Sequence, residues 1–225
     1  MADDLGHEWN RLALERIVLF SDAVIAIAIT LLAIEIRLPE LPGDEAAELP
    51  AALLAVWPRY VGFVISFGAV GTYWWLHHRI FRWVRSFDEQ LIWLNILFLL
   101  CVAFVPFASG VLGEHLGSPS AAIFYASVLA LTGLVETGLW VYVSKGHRLI
   151  AGDLSARDIR MGTMSGLITP VVFLMSIPLA LLSPYMATIL WFLIYPLIWL
   201  LMRLRARPVG GSSLERRQKS TVPRS

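Results

Sequence analysis

Apolar residues gather in long runs along this chain, and short polar segments separate the runs. The runs predict helices at about residues 17–38, 57–76, 91–111, 121–143, 164–182 and 186–202. A helix of roughly 20 apolar residues crosses a hydrocarbon core of about 30 Å. The pattern therefore predicts an all-α, polytopic membrane protein, with six transmembrane helices in residues 1–203.

The composition is typical of a membrane protein and differs from that of soluble domains. The chain is 57% hydrophobic and 16% charged, with a mean hydropathy of +0.68, whereas soluble domains carry about one quarter charged residues. We expect a multi-pass protein of the cell membrane whose main partner is the lipid bilayer. A net charge of +1 gives no reason to expect nucleic acid. The basic, apolar-poor stretch 204–225 predicts a disordered tail.

The orientation follows from the lysines and arginines. Six crossings place the N-terminus, the second and fourth connections and the tail on one side of the membrane. Counted with the tail beginning at Arg203, these four segments carry 2, 3, 4 and 7 basic residues, which is sixteen of the eighteen, and the exceptions are Arg37 and Arg59. Basic residues favour the cytoplasmic side. Both termini are therefore predicted to be cytoplasmic, and five or seven crossings would break this separation.

The first apolar segment carries a narrow aliphatic stripe. At about 100° per residue, with Ile27 at 0°, Leu31 lies near +40°, Ile34 near −20° and Thr30 near −60°. The pattern alone favours a stripe that faces lipid or packs in a core. A stripe that lines an ion pathway is the alternative.

Several polar side chains lie at one predicted depth, within roughly 10 Å of the cytoplasmic boundary at 1.5 Å per residue. Ionisable groups at such positions usually have a partner or serve a pathway. The group is interpreted either as hydrogen-bonded glue between helices or as a clamp that positions the first helix. Its members are Arg16, Ser21, Asp22, one of Trp74 and Trp75, His77 and Asn95.

The sequence Arg16-x-x-x-Phe20-Ser21-Asp22, followed by a run of Ile, Ala, Thr and Leu, resembles the first-helix signature of the transmembrane protein 175 family of potassium channels. The resemblance covers nearly the whole chain. It implies a channel rather than an enzyme, with permeant potassium and no cofactor. Because the chain carries one six-helix repeat, the resemblance also implies a homotetramer.

The resemblance assigns roles to the stripe and to the polar group. Ile27 would be a hydrophobic constriction, with Leu31 and Ile34 lining the same pathway. Thr30 would favour potassium over sodium, with modest selectivity because no stacked carbonyl filter is present. The Arg, Ser and Asp of the first helix would pack against a Trp and a His of the second. The resemblance does not decide whether the Trp is Trp74 or Trp75, or whether the His is His77 or His78.

Other polar residues carry weaker signals. Glu35 is either an acid of the outer pore mouth or an interfacial charge. Glu136 is either a proton-relay acid or a buried structural acid without an identified partner. Adjacent His77 and His78 point about 100° apart, and no cysteine or acid at ligand spacing accompanies them, so no metal site is expected. The alternatives to a potassium channel are a secondary transporter and a proton-permeable cation pathway.

Overall fold

The computed structural model describes residues 2–41, 43, 45–147, 149–150, 154–192 and 200. The regular elements in these residues are helical, which confirms the predicted all-α class. One isolated antiparallel bridge joins Val84 to Ile150. The helices are α1 (Ala2–Ile34), α2 (Glu45–Ala55), α3 (Trp57–Phe81), α4 (Glu89–Glu114), α5 (Pro119–Ser144), α6 (Ala156–Leu182) and α7 (Pro184–Phe192), with one 3₁₀ turn at Lys145–His147.

The helix limits differ from the apolar runs at two places near the N-terminus. The polar lead is helical, so α1 begins at Ala2 instead of near residue 17, and it ends at Ile34 ahead of Pro39. The acidic connection also contains α2, which the apolar pattern does not predict. A bend of 48° separates α2 from α3. Pro58 fits there because a first helical turn needs no partner for the missing N–H.

Four described helices are long and apolar enough to cross a membrane, and the bent pair of α2 and α3 raises this number to five. The four are Glu8–Ile34 of α1, α4, α5 and α6. The predicted sixth crossing, 186–202, coincides with α7 only as far as Phe192. Its positions 193–199 and 201–202 lie outside the described residues, and so does the predicted tail at 204–225.

Two hydrophobic clusters hold the bundle together. The larger one joins α1, α3, α4, α5, α6 and α7, and its largest buried side chains are Tyr73, Phe98, Tyr125, Phe173 and Trp191. The smaller one lies at the predicted cytoplasmic end of α3, α4 and α5. The backbone N–H of Arg85 donates to the carbonyl of Leu149 at 2.8 Å, which joins the connection between α3 and α4 to the connection between α5 and α6.

Helices α5 and α6 approach each other closely through small residues. A Cβ on Gly133 would lie 2.8 Å from the Cδ of Pro170, and a Cβ on Gly166 would lie 2.8 Å from the hydroxyl oxygen of Thr137. Membrane helices pack tightly where glycine lets the backbones meet. The glycines therefore fix the spacing of these two helices.

Gly133→Ala is expected to destabilise the protein by about 1–3 kcal/mol, because the added methyl group overpacks the contact with Pro170. The matched control is Gly138→Ala on the same helix, where a Cβ meets nothing within 4 Å. That control should leave stability unchanged or raise it slightly, because alanine favours helix more than glycine does. Apparent melting temperatures in detergent measure both changes. Equal melting temperatures for the two variants would contradict the tight contact.

Candidate functional site

The aliphatic stripe of the first helix is uncovered in the subunit. Exposed fractions are 59% for Ile27, 40% for Leu31 and 62% for Ile34, and Thr30 is also exposed. We call Ile27, Thr30, Leu31 and Ile34 the exposed α1 face. Four neighbouring positions that remain open on a helix of an otherwise packed bundle leave a surface for lipid or for other subunits.

The opposite side of α1 packs against α3 and α4. Ser21, Ile25, Ala28 and Leu32 are buried there. These four positions lie about 100–160° around the helix from Ile27. The bundle therefore holds α1 by one side and presents the exposed α1 face on the other.

The Thr30 hydroxyl is tied to its own helix. Its Oγ1 donates to the carbonyl oxygen of Ile27 at 2.8 Å. Because the proton is used in this bond, the lone pairs of the hydroxyl oxygen stay available as acceptors. An exposed oxygen with free acceptor capacity lies beside the aliphatic side chains.

A buried hydrogen-bond chain joins α1, α3 and α4. Nε2 of His77 lies 2.8 Å from Oδ1 of Asn95, and Nδ2 of Asn95 donates to Oγ of Ser21 at 2.9 Å. Ser21 donates in turn to the carbonyl of Ile17 at 2.8 Å. We call Ser21, His77 and Asn95 the polar layer. All three are buried.

Each bond in the polar layer has a fixed direction. Ser21 spends its proton on Ile17, so it accepts from the amide nitrogen of Asn95. The amide oxygen of Asn95 then accepts, and His77 must donate through Nε2. The imidazole ring also stacks on Phe98, with ring centroids 5.3 Å apart and an angle of 11°. The chain thus specifies both the tautomer and the position of His77.

A direct bond between α1 and α3 lies beside the polar layer. Nε1 of Trp74 donates to Oδ1 of Asp22 at 2.9 Å. Trp75 points elsewhere, and the guanidinium of Arg79 lies 4.7 Å from its ring centroid. His78 is exposed, and its ring lies 5.9 Å from that of Trp74. Trp74 therefore bonds directly to α1 and His77 is linked to α1 through Asn95, whereas Trp75 and His78 lie outside these bonds.

Three other predicted residues lie apart from the polar layer. Arg16 and Phe20 are exposed on the same side of α1 as Ile27, and Arg16 has no hydrogen bond or ion pair within the described part of the chain. The Glu35 carboxylate lies where a Cβ of Gly110 would be, so it rests against α4. Sequence depth alone cannot distinguish these directions, because depth carries no information about the side of a helix.

A second buried network, which the sequence pattern does not predict, joins α3, α4 and α5. Oγ of Ser66 donates to Oγ of Ser109 at 2.8 Å and lies 2.9 Å from the hydroxyl of Tyr125. The serines within the apolar segments are the sequence feature that could have predicted this network, because such hydroxyl groups often hydrogen-bond between membrane helices. Groups of three His, Cys, Asp or Glu that could hold a metal ion are absent from the described residues.

Comparisons with known proteins agree on one family. The family model described as "Endosomal/lysosomal potassium channel TMEM175" matches residues 16–106, which include the exposed α1 face and the polar layer. A protein of Chamaesiphon minutus named potassium channel is 34% identical over 175 residues, covering 76% of this chain and 86% of the relative. A potassium channel of Streptomyces collinus is 37% identical over 177 residues, covering 74% of this chain and 85% of the relative.

A solved structure and a mammalian protein extend the comparison. The crystal structure of a lysosomal potassium-selective channel TMEM175 homolog from Chamaesiphon minutus has a TM-score of 0.73 and 31% identity, covering 84% of this chain and 97% of that one. The human endosomal/lysosomal proton channel TMEM175 is 37% identical over 103 residues, which is 43% of this chain and 20% of that protein.

Proposed function

This chain belongs to the TMEM175 family of ion channels, and from that premise we propose that it is a potassium channel whose pathway is lined by α1. It is a multi-pass membrane protein and not an enzyme. Two relatives that it matches over most of their length are named potassium channels. Potassium is therefore the permeant ion, and no cofactor takes part.

The observation that carries this proposal is the exposed α1 face. Ile27, Leu31 and Ile34 are exposed in the subunit, while the opposite side of the same helix is buried against α3 and α4. One helix cannot enclose an axis, so a pathway along this face requires several subunits. Closed rotational symmetry would place each side chain in a ring. We propose a homotetramer, in which four copies of α1 surround the pathway.

Ile27 forms the gate in this proposal. A narrow ring of isoleucine side chains excludes water, and an ion cannot cross a dry constriction. Leu31 and Ile34 extend the apolar wall toward the outside. A small rotation or widening of α1 would hydrate the ring and open it.

Thr30 supplies modest selectivity in this proposal. Its hydroxyl oxygen keeps acceptor capacity next to the gate because its proton is donated to Ile27. A ring of four such oxygens replaces part of the hydration shell of potassium. Glu35 would add negative charge at the outer mouth and concentrate cations there, although its carboxylate contacts Gly110 of its own subunit.

The proposal includes a membrane topology for the channel domain, residues 1–203. We propose six crossings with both termini in the cytoplasm, because sixteen of the eighteen basic residues then lie on one side. The described helices supply up to five crossings. The sixth would continue from α7, and the basic tail would follow it in the cytoplasm.

Arg16→Ala is expected to lower the yield of tetramer severalfold. Arg16 is exposed on the side of α1 that faces the proposed axis, so its partner would come from a neighbouring subunit. Arg11→Ala is the matched control, because Arg11 pairs with Glu15 on its own helix at 3.8 Å. Asp22→Asn should also lower the yield of tetramer, because the hydrogen bond from Trp74 would then go to a neutral amide oxygen instead of a charged carboxylate. Size exclusion with light scattering measures the tetramer fraction, and an unchanged fraction would remove this role.

Reconstitution tests the proposed function directly. Potassium-loaded liposomes that contain the protein should lose potassium when a proton ionophore balances the charge, and protein-free liposomes should not. The flux should follow the imposed voltage without a requirement for a second ion. Flux that depends strictly on a second ion would identify a secondary transporter and overturn the channel.

Proton conduction is a second candidate function, because the human relative is named a proton channel. That relative matches 43% of this chain. The same liposomes, with a pH-sensitive dye and valinomycin in place of the proton ionophore, distinguish the two ions. Dye response without potassium loss in the first assay would favour the proton pathway.

A further inference from the structure

A cavity of about 520 Å³ lies between α3, α5 and α6, away from the exposed α1 face. Pockets of this size commonly hold small organic molecules. Its lining runs along α6 from Arg157 to Gly166 and includes the last part of α3 from Leu76. Its lining consists of Leu76, Arg79, Ile80, Trp83, Glu136, Thr137, Trp140, Leu154, Arg157, Asp158, Met161, Gly162 and Gly166.

Glu136 is the unusual member of this lining. It is 1% exposed, and neither carboxylate oxygen has a hydrogen-bond partner of ordinary geometry among the described residues. The carboxylate lies near the backbone of His77. An ionised carboxylate held away from water without a partner is costly, and a leucine at this position would avoid the cost. A proton on the acid or a cationic partner from outside compensates for this burial, and the cavity beside Glu136 gives such a partner a place to bind.

The remaining charges of the lining are found nearer the cytoplasmic ends of the helices. Arg79 lies over the ring of Trp75, and Asp158 accepts hydrogen bonds from Ser155 at the start of α6. Arg157 is exposed next to Asp158. Gly166 lies about 13 Å deeper than Arg157 along α6, at 1.5 Å per residue. Glu136 is thus the ionisable group of the inner part of the cavity.

The wall beside Glu136 is aromatic and fixed. The Trp140 ring lies against Gly162, where a Cβ would be 2.5 Å from ring atoms, and its Nε1 donates to the carbonyl of Ile159 at 3.2 Å. Trp83 lines the cavity on the α3 side. Because the indole of Trp140 is held by both contacts, this wall needs no rearrangement before a ligand enters. The Glu136 carboxylate, which is buried, turns toward the cavity to meet the ligand.

We propose that this cavity binds a small organic ammonium ion that carries an aromatic or short aliphatic body. The ammonium group donates charge-assisted hydrogen bonds to the Glu136 carboxylate. The apolar body lies between Trp83, Trp140 and Leu76, and aromatic rings also attract a cation that lies over their faces. None of the residues that line this cavity comes from α1. The site is therefore separate from the proposed ion pathway and does not depend on it.

The test uses the full chain in detergent and isothermal titration with 2-phenylethylammonium chloride. We expect saturable binding, with 2-phenylethanol, the neutral analogue, binding at least tenfold more weakly. Glu136→Gln should weaken binding of the ammonium by roughly tenfold to a hundredfold, the usual range for loss of a charged hydrogen bond. Glu89→Gln, at an exposed acid of α4, should leave the affinity unchanged.

A second pair of variants tests the location without changing charge. Met161→Trp adds bulk to the cavity lining and should abolish binding, whereas Met164→Trp, at an exposed position of the same helix, should preserve it. Melting temperatures confirm that both variants fold. Equal binding of the alcohol and the ammonium, an unchanged affinity in Glu136→Gln, or no saturable heat with the unmodified chain would each overturn the proposal. Potassium flux is not needed for any of these measurements, so a failed channel assay leaves them intact.

Discussion

Replacing Ile27 with asparagine is expected to raise the resting potassium flux of the reconstituted protein by about tenfold or more. In the proposed tetramer the substitution places four amide groups in the constriction. Each amide binds water, so the dry barrier at this level disappears. A tenfold increase requires a barrier lowered by only about 1.4 kcal/mol. The measurement is the initial rate of potassium loss from liposomes with matched protein content.

Leu97→Asn is the control for this prediction. Leu97 is also an exposed aliphatic residue of a membrane-spanning helix, but it lies on α4 and outside the exposed α1 face. Its substitution should alter stability and leave the flux per tetramer unchanged. Ile27→Cys adds a chemical test, because water-soluble thiol reagents should block flux through it. If both asparagine variants change flux equally, or if the cysteine at 27 reacts only with lipid-soluble reagents, the pore assignment is wrong.

Asn95→Leu is expected to destabilise the subunit by about 1–3 kcal/mol. Leucine keeps nearly the same volume but leaves Nε2 of His77 without its acceptor and Oγ of Ser21 without its donor. A buried donor that loses its partner costs about this amount. For a chain of this length each kcal/mol lowers the melting temperature by about 2–4 °C. Thermal unfolding in detergent, followed by circular dichroism, measures the shift.

Gln90→Leu provides the matched control for Asn95→Leu. Gln90 lies on the same helix and is exposed, so the same change from amide to leucine removes no buried hydrogen bond. Its melting temperature should remain close to that of the unmodified protein. The double variant His77→Phe with Asn95→Leu should recover part of the loss, because no buried donor is then left unpaired. A loss in Asn95→Leu no larger than in Gln90→Leu would show that the polar layer adds little stability.

Much of the helical framework was predictable from hydropathy. Apolar runs must form helices in a bilayer because no other open structure satisfies its own backbone hydrogen bonds. The segments around α4 and α5 illustrate this, since their observed limits lie within a few residues of the apolar runs. Helix α2 and the early start of α1 were harder to predict. Their sequences are polar or mixed, and local hydrogen bonding and packing decide their conformation instead of burial in lipid.

The contacts of the polar side chains could be predicted only in part from their positions along the sequence. Depth along each helix predicts that Ser21, His77 and Asn95 lie at one level in the membrane. Trp74 and Trp75 are neighbours at nearly the same depth. Only the packing of α3 against α1 decides that Trp74 bonds to Asp22 while Trp75 lies beneath the guanidinium of Arg79. Glu136 likewise needed tertiary structure, since its cavity is formed by three helices.

By itself, the sequence determined that the chain is helical, lies in a membrane and carries the first-helix pattern of an ion-channel family. These properties follow from composition, run length and local residue order, which folding does not change. The tertiary structure alone decided which side of α1 is packed and which is left open, because that choice depends on the neighbours that α3 and α4 provide. It also decided which polar groups find partners, because hydrogen bonds need distances of about 3 Å that no spacing along the chain can fix.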